Sequence, residues 1–319
     1  LKEEVFLSVV IPCFNEEEVL PVTITRLKEI LRSFSFSSEV IFVDDGSKDK
    51  TWQIIKQTNQ EDSRFKGLRL SRNFGHQYAL TCGLFNASGE IVAVLDADLQ
   101  DPPELIPSMI DKLQSEGVDI VYGKRRKRLG EPFLKRLFAY LFYRFVKKIS
   151  GLAIPEDTGD FRVISRRALD AFLNLPERHR FVRGMFAWIG FSQLPMYYDR
   201  PPRAAGSTKY PFIKSLAFAL DAIVSFSRWP LRVASVLGFL IAGLSFVYII
   251  VVIILFLFGI NFPGYTSLMA SILFLGGVQL LALGILGEYI GRIYEQTQQR
   301  PLFIVKESVG HFGNPTFIK

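Results

Sequence analysis

At 319 residues, 49% of them apolar and 22% charged, the chain can hold one large domain or two modest ones and is too apolar to be disordered. Its formal charge of +7 points to anionic partners: nucleic acid, phosphorylated substrates or an acidic membrane surface. Cys13 and Cys82 show no CxxC spacing and no histidine partner, which gives metal or redox chemistry no pattern and leaves two small buried residues in a reducing compartment.

The N-terminal LKEEVFLSVVIP lacks a basic leader and a cleavable apolar core, so no signal peptide is expected. From about residue 5 to 125 short apolar runs alternate with polar helical stretches. FLSVVIP precedes a helix from near Glu16, EVIFVDD one from about Lys50, GLRLSRN one around His76 to Asn86, and EIVAVLD one from Pro103, before a last run, VDIVYG. This is the rhythm of an α/β sheet with helical crossovers, in which ligands collect at the carboxyl ends of the strands. Residues 132–151 and 211–232 mix Phe, Leu, Tyr and Trp with Lys and Arg, as amphipathic helices in a membrane interface do.

No Asp, Glu, Lys or Arg stands between Arg232 and Glu288. Two apolar runs, about 233–258 and 265–287, flank the turn GINFPG, and each exceeds the roughly 20 residues that cross a hydrocarbon core. Arg228, Arg232, Arg292 and Arg300 flank the pair while the turn is uncharged, so the positive-inside rule puts both chain ends in the cytoplasm. The expected organisation is a cytosolic domain over 1–210, a juxtamembrane helix over 211–232, a transmembrane hairpin over 233–290 and a cytosolic tail over 291–319.

Each strand end carries polar residues: Pro12, Phe14, Asn15 and Glu16; Asp44, Asp45, Gly46 and Ser47; Asp96, Asp98 and Gln100. There is no GxGxxG opening a helix and no GxxxxGK[ST], so neither common nucleotide loop accounts for the site. In an extended segment Asp96 and Asp98 would project to one side, and two carboxylates with substrate phosphates suit Mg²⁺ or Mn²⁺; Gln100 continues the series. Asp101, before two prolines, reads as a turn former. Gly46 and Ser47 read as structural, Asp49 reads as an N-cap, and Asp45 could accept hydrogen bonds from a base or ribose. His76, His179 and His311 share no spacing with the carboxylates and read as structural or exposed.

Eight stretches in order now resemble a known family: VVIPCFNEEE (9–18), VDDGSKDKT (43–51), SRNFGHQYAL (71–80), DADLQDPPE (96–104), YGKRRKR (122–128), DTGDFRVISR (157–166), RGMFAWIGF (183–191) and RPPRAAGSTKYP (200–211). The family is that of the GT-A glycosyltransferases that move a sugar from a nucleotide sugar to a polyisoprenyl phosphate, related to dolichol-phosphate mannose synthase. The resemblance covers nearly the whole chain, and GEYIGRIYEQTQQRP in the tail is similar to the bacterial branch that glucosylates undecaprenyl phosphate.

It implies a Rossmann-like mixed sheet with helices on both faces, seated at the bacterial inner membrane, and a homo-oligomer, with a tetramer among the forms that admits. Pro12, Phe14, Glu16 and Asp45 would hold base and ribose, with Asp96 and Ala97 beside them, while Asp96, Asp98 and Gln100 would hold Mg²⁺ or Mn²⁺. Arg125 and Arg128 would face phosphates, and Arg203, Ser207 and Lys209 would bind the diphosphate and lipid phosphate. Asp157 resembles the family's acidic residue near the acceptor, with Asp160 and Arg162 in the same motif. Within KRRKR, Arg125 takes the site role, and Lys127 reads as solvated or drawn to anionic lipid.

The reaction expected is inverting, metal-dependent transfer of a hexose, with glucose favoured, from a UDP-sugar to polyprenyl phosphate. The acceptor is already a dianion, so Asp157 ranks below the metal ligands as a catalytic residue and could instead orient Arg or a sugar hydroxyl. Mannose, N-acetylglucosamine or a modified pentose would differ by a few pocket contacts. A processive polysaccharide synthase is disfavoured because no QxxRW follows the acidic pair, and a non-catalytic scaffold because Asp96, Asp98, Arg203 and Lys209 are intact. Nucleic acid is disfavoured because the basic residues interleave with interfacial aromatics.

Overall fold

The runs LSVVIPC and SEVIFVD do not alternate in polarity, and both are buried along their whole length, as strands covered on two faces must be. They form β1 (Leu7–Cys13) and β2 (Ser38–Asp44) in a computed structural model that describes residues 5–126, 158–199, 227, 229–258, 264–312 and 316. The chain divides into two units, Leu1–Leu216 with Arg300–Lys319, and Ala217–Gln299.

In the first unit, α1 (Leu20–Ser33), α2 (Thr51–Glu61) and α3 (His76–Asn86) connect β1, β2, β3 (Phe65–Leu70) and β4 (Ile91–Val94). A 3-10 turn over Pro103–Leu105 leads into α4 (Ile106–Ser115), and β5 (Ile120–Arg125) follows. Beyond residue 157 come β6 (Thr158–Ser165), α5 (Arg166–Leu173), α6 (Val182–Trp188) and β7 (Gln193–Tyr198). The strand order is β7-β5-β6-β4-β1-β2-β3-β8, where β8 (Val305–Val309) comes from the tail. Strands β3, β2, β1 and β4 are mutually parallel, β6 runs antiparallel between β4 and β5, and β8 runs antiparallel beside β3.

Helices cover both faces. Leu7, Val9 and Ile11 of β1 pack with Leu20, Ile24, Leu27 and Leu31 of α1 and with Ile106, Met109 and Ile110 of α4. On the opposite face Val10 meets α3, which is apolar nearly all round and buries Ala79, Leu80, Cys82 and Leu84. Gly83 makes that approach feasible, since a Cβ there would lie 2.3 Å from Val10 Cγ1. Cys13 and Cys82 are both free and buried, as expected.

Two differences from the sequence expectation matter for function. Helix α1 starts at Leu20, not near Glu16, because residues 15–17 are committed to a loop that bonds the residues after β2. The tail, expected as a separate cytosolic segment, supplies the eighth strand of the sheet.

The second unit contains α7 (Trp229–Leu257) and α8 (Tyr265–Thr297), each long and apolar enough to cross a membrane. Phe239, Leu244, Leu273 and Leu280 are each 70% or more exposed, an arrangement stable in hydrocarbon and not in water. The two interfacial helices expected over 132–151 and 211–232 lie outside the described residues, apart from residues 227 and 229–232.

Candidate active site

Sheet topology assembles the site. From β1 the chain winds outward through β2 and β3, then returns through α3 to β4 on the other side of β1. The crevice at such a switch point is where open α/β sheets bind ligands. The carboxyl ends of β1, β2 and β4 meet there, linked by Asp45 N donating to Cys13 O (2.9 Å) and Leu95 N to Val10 O (3.0 Å).

The first two loops are laced together. Asn15, in the left-handed region at φ 53°, donates its N–H to Ser47 Oγ (2.9 Å), and its side-chain oxygen accepts from Lys48 N. Glu16 N donates to Thr51 Oγ1 (2.9 Å), and Glu17 N to Asp49 Oδ2 (3.1 Å). Asp49 also accepts from Thr51 N, which gives it the capping bond expected, although the helix boundary falls at Lys50. Pro12 is buried beneath this loop and Phe14 is 39% exposed.

Asp45 is 2% exposed, and its two oxygens accept the backbone N–H groups of Phe74 (2.7 Å) and Gly75 (2.9 Å). Burial raises its carboxyl above the usual range, against the pull of those two donors. Its most direct action is therefore to pin the 74–75 turn, with its second lone pairs left for any ligand. Gly46, at φ +70°, fits under the next turn because a Cβ would stand 2.6 Å from the carbonyl carbon of Arg72.

The acidic segment departs from the extended geometry expected of it. Strand β4 stops at Val94, residues 97–98 form a turn, and Leu99 has φ 56°. The turn is held by Thr23 Oγ1 donating to Ala97 O (2.9 Å) and by Gln100 N donating to Asp98 Oδ1 (3.1 Å). A turn, not strand alternation, thus groups Asp96 and Asp98, and Gln100 is buried. Asp96 Oδ1 is shielded from solvent and has no hydrogen-bond partner among the described residues. Burial pushes Asp96 up to about 6, with His76 opposing and Asp101, Asp160 and Asp98 adding to the rise. An orphaned carboxylate oxygen beside a second carboxylate is a fitting donor set for a hard divalent cation. No cluster of three or more His, Cys, Asp or Glu side chains suited to a metal occurs among the described residues.

Asp101 does more than turn the chain. It is fully buried and accepts a hydrogen bond from Tyr198 Oη, and Tyr198 also bonds Arg125. Parallel pairing sets Arg125 against Tyr198 at the carboxyl ends of β5 and β7, on the same sheet edge.

Antiparallel β6 delivers its beginning to that edge, pairing Arg162 with Val94 and leading back to Asp160 near Asp96. Asp160, 2% exposed, accepts from Arg183 Nε (2.9 Å) and Gln77 Nε2 (3.2 Å), and lies 3.2 Å from His76 Nε2. Burial alone would raise it, yet Arg183 and His76 hold it well below the usual carboxylate range. Buried Arg162 donates to the carbonyls of Asp160 and Gly159. His76, read from its sequence spacing as structural or exposed, lies 3.7 Å from Asp96 Oδ1 as well. Burial opposes its protonation, but Asp160 and Asp96 raise it to about 9. Sequence spacing missed His76, Gln77, Arg183 and Tyr198; the unassigned motif SRNFGHQYAL was the one available signal for the first two. Arg128, Asp157, Arg203, Ser207 and Lys209 lie outside the described residues.

A mixed α/β sheet presenting an acidic turn at its switch point is the architecture of a GT-A glycosyltransferase. The chain belongs to glycosyl transferase family 2, whose model matches residues 8–173, and residues 229–293 match the GtrB C-terminal hairpin. It is 47% identical to an uncharacterized glycosyltransferase of Synechocystis over 95% of this chain and 96% of that one. A bactoprenol glucosyl transferase of Shigella phage SfII is 44% identical, with 97% and 99% covered, and a prophage bactoprenol glucosyl transferase homolog of Escherichia coli is 42% identical, with 94% and 98% covered. The protein is an enzyme, and the matched hairpin with its two apolar helices makes it a membrane protein.

Proposed function

We propose that the protein transfers glucose from UDP-glucose to a bactoprenol-type polyprenyl phosphate, giving a β-linked polyprenyl-phosphate glucose and UDP. The observation that carries this reading is the orphaned Asp96 carboxylate in the acidic turn at the switch point of a family 2 fold. The near full-length similarity to bactoprenol glucosyl transferases supports the sugar and the lipid.

A phosphate oxygen of the acceptor attacks the anomeric carbon from the face opposite the diphosphate. The bond from that carbon to the diphosphate oxygen breaks, its electron pair leaves with UDP, and the configuration inverts. Asp96 and Asp98, beside Gln100, would hold a divalent cation, Mg²⁺ or Mn²⁺, which would supply charge stabilisation for the leaving diphosphate. The acceptor, with a second pKa of about 6, arrives largely as a dianion and needs no proton removed. Asp157 therefore serves to orient a cation or a sugar hydroxyl. Arg125, Arg128, Arg203, Ser207 and Lys209 bind the phosphates, and fixed cations favour the transition state because charge on the leaving group grows as the bond breaks. Pro12, Phe14, Glu16 and Asp45, with Ala97, form the nucleoside side of the pocket.

The reaction belongs at the cytosolic face of a bacterial inner membrane. Arg232, Arg292 and Arg300 flank the hairpin, and the return of the chain into the sheet as β8 supports both hairpin ends lying on the catalytic side. A homo-oligomer completes the proposal, to be checked by the mass of the particle in detergent. The test of activity is incubation with radiolabelled UDP-glucose, UDP-N-acetylglucosamine and GDP-mannose, with Mg²⁺, Mn²⁺ or chelator. Label from UDP-glucose should enter the lipid phase with metal only; label from another donor alone, or none, overturns the reading.

A further inference from the structure

The motif SRNFGHQYAL joins both sides of the pocket without being a part of either. Asp45 holds the backbone of Phe74 and Gly75, Gly75 turns at φ +110°, and His76 is the first residue of α3. Because α3 is wedged against β1 and β2, with Gly83 in close contact with Val10 and Val43, the base of the histidine is rigid. From there its Nε2 lies 3.2 Å from Asp160 Oδ2 and 3.7 Å from Asp96 Oδ1.

We propose that His76 is a positioning residue, held by Asp160, that fixes the Asp96 carboxylate in the orientation in which it receives the donor nucleotide and its cation. This rests on the transferase reading above. Three observations carry it. Asp96 Oδ1 lacks a hydrogen-bond partner among the described residues, and the Nε2 group facing it belongs to His76. Asp160 cannot shift to release His76, since both its oxygens are engaged, Oδ1 by Arg183 and Oδ2 by Gln77 and Arg183. Gln77 in turn receives Val182 N at the start of α6 (3.1 Å), so the anchor ties α3, β6 and α6 together.

The arrangement gives Asp96 a fixed polar neighbour, the His76 Nε2 at 3.7 Å. A carboxylate that binds a cation works best when its rotamer is set beforehand, and removing such an outer partner costs about 10–100-fold in metal affinity. A histidine that merely stabilised the fold would have no such effect on ligand affinity.

Full-length protein in detergent serves for the test, with His76→Ala, His76→Gln and, as control, His311→Ala at an exposed site in the tail. Calorimetry measures UDP affinity with and without Mn²⁺, electron paramagnetic resonance measures Mn²⁺ uptake in the presence of UDP, and thermal unfolding reports stability. Wild type must bind Mn²⁺ with UDP; if it does not, the transferase reading itself fails. Given that binding, His76→Ala should lose about 10-fold or more in Mn²⁺-dependent UDP affinity, and donor KM should rise in step. His76→Gln, whose Nε2 amide can take the place of the imidazole Nε2–H, should recover most of it, and His311→Ala should match wild type. The proposal is overturned if His76→Ala binds Mn²⁺ and UDP as wild type does, or if Ala and Gln lose affinity equally in proportion to lost stability.

Discussion

Replacing Asp160 by Asn separates an anchor from a base. The carboxylate is 2% exposed and accepts from Gln77 Nε2 and from Arg183 Nε and Nη2, with His76 Nε2 at 3.2 Å and Arg162 Nη2 at 3.9 Å. An Asn of the same shape turns an NH₂ group toward at least one of those donors and leaves Arg162, itself 4% exposed, without its counter-charge. Breaking a buried ion pair by removing one partner costs about 3–5 kcal/mol. For a domain of this size each kcal/mol moves the melting temperature by about 2–4 °C, so Asp160→Asn should melt about 6–20 °C below wild type. Tryptophan fluorescence follows the transition, with Trp52 and Trp188 in the catalytic unit. Turnover below the new melting point should fall through donor KM. A variant that melts within about 2 °C of wild type yet has lost kcat would refute the anchor and give Asp160 a part in the chemistry.

Asp98→Asn should lower turnover by about 10²–10³-fold and weaken Mn²⁺-dependent UDP binding while leaving the melting temperature near that of wild type, measured by lipid-phase label and calorimetry. Gly46→Ala forces a side chain into the left-handed region and against the Arg72 carbonyl carbon, at a cost of roughly 1–2 kcal/mol before any clash. A lower melting point with a raised donor KM is expected, and an unchanged KM would show that the 72–75 turn does not govern the pocket. Glu39, 2% exposed, shows the sign of an acid-sensitive lock. Burial raises its pKa, but Lys66 at 2.5 Å, Ser8 and Ser88 bring it below its ordinary value of 4.5. Its contribution is complete above pH 4.5 and is lost as pH falls through the lower folded value, so Glu39→Gln should flatten the drop in melting temperature between about pH 5 and 3. Parallel melting curves for the two proteins would disprove it.

The local parts of this fold could be read from residue order. Helix α3 spans His76–Asn86 as expected, and the strand sequences LSVVIPC and SEVIFVD announced full burial. Non-local pairing was harder. Strand β7 holds Pro195 and is only partly buried, and β8 sets Lys306, Glu307 and Ser308 between two valines in a tail that reads as surface, so neither has the apolar run of a central strand. The convergence of His76, Asp96 and Asp160 depends on β6 running antiparallel to β4, a direction that no local spacing encodes. Asp101 looked like a turn residue because the prolines after it dominate the local signal; its burial against Tyr198 is a contact across 97 positions.

Strand β8 lies beyond both apolar helices in the chain, yet Ser71 N bonds Ile304 O, Trp52 Nε1 bonds Glu307 and Phe303 is fully buried in the first unit. Synthesis runs from the N-terminus, so the edge of β3 stays open until the ribosome has released both helices. The order of manufacture thus makes the membrane segment a prerequisite for a finished sheet: a nascent domain cut off from its hairpin keeps an unpaired edge and an empty site for Phe303, the marks of a chain that aggregates. A soluble version would have to splice the end of the first segment directly to residue 300, keeping the last strand while discarding the two helices before it.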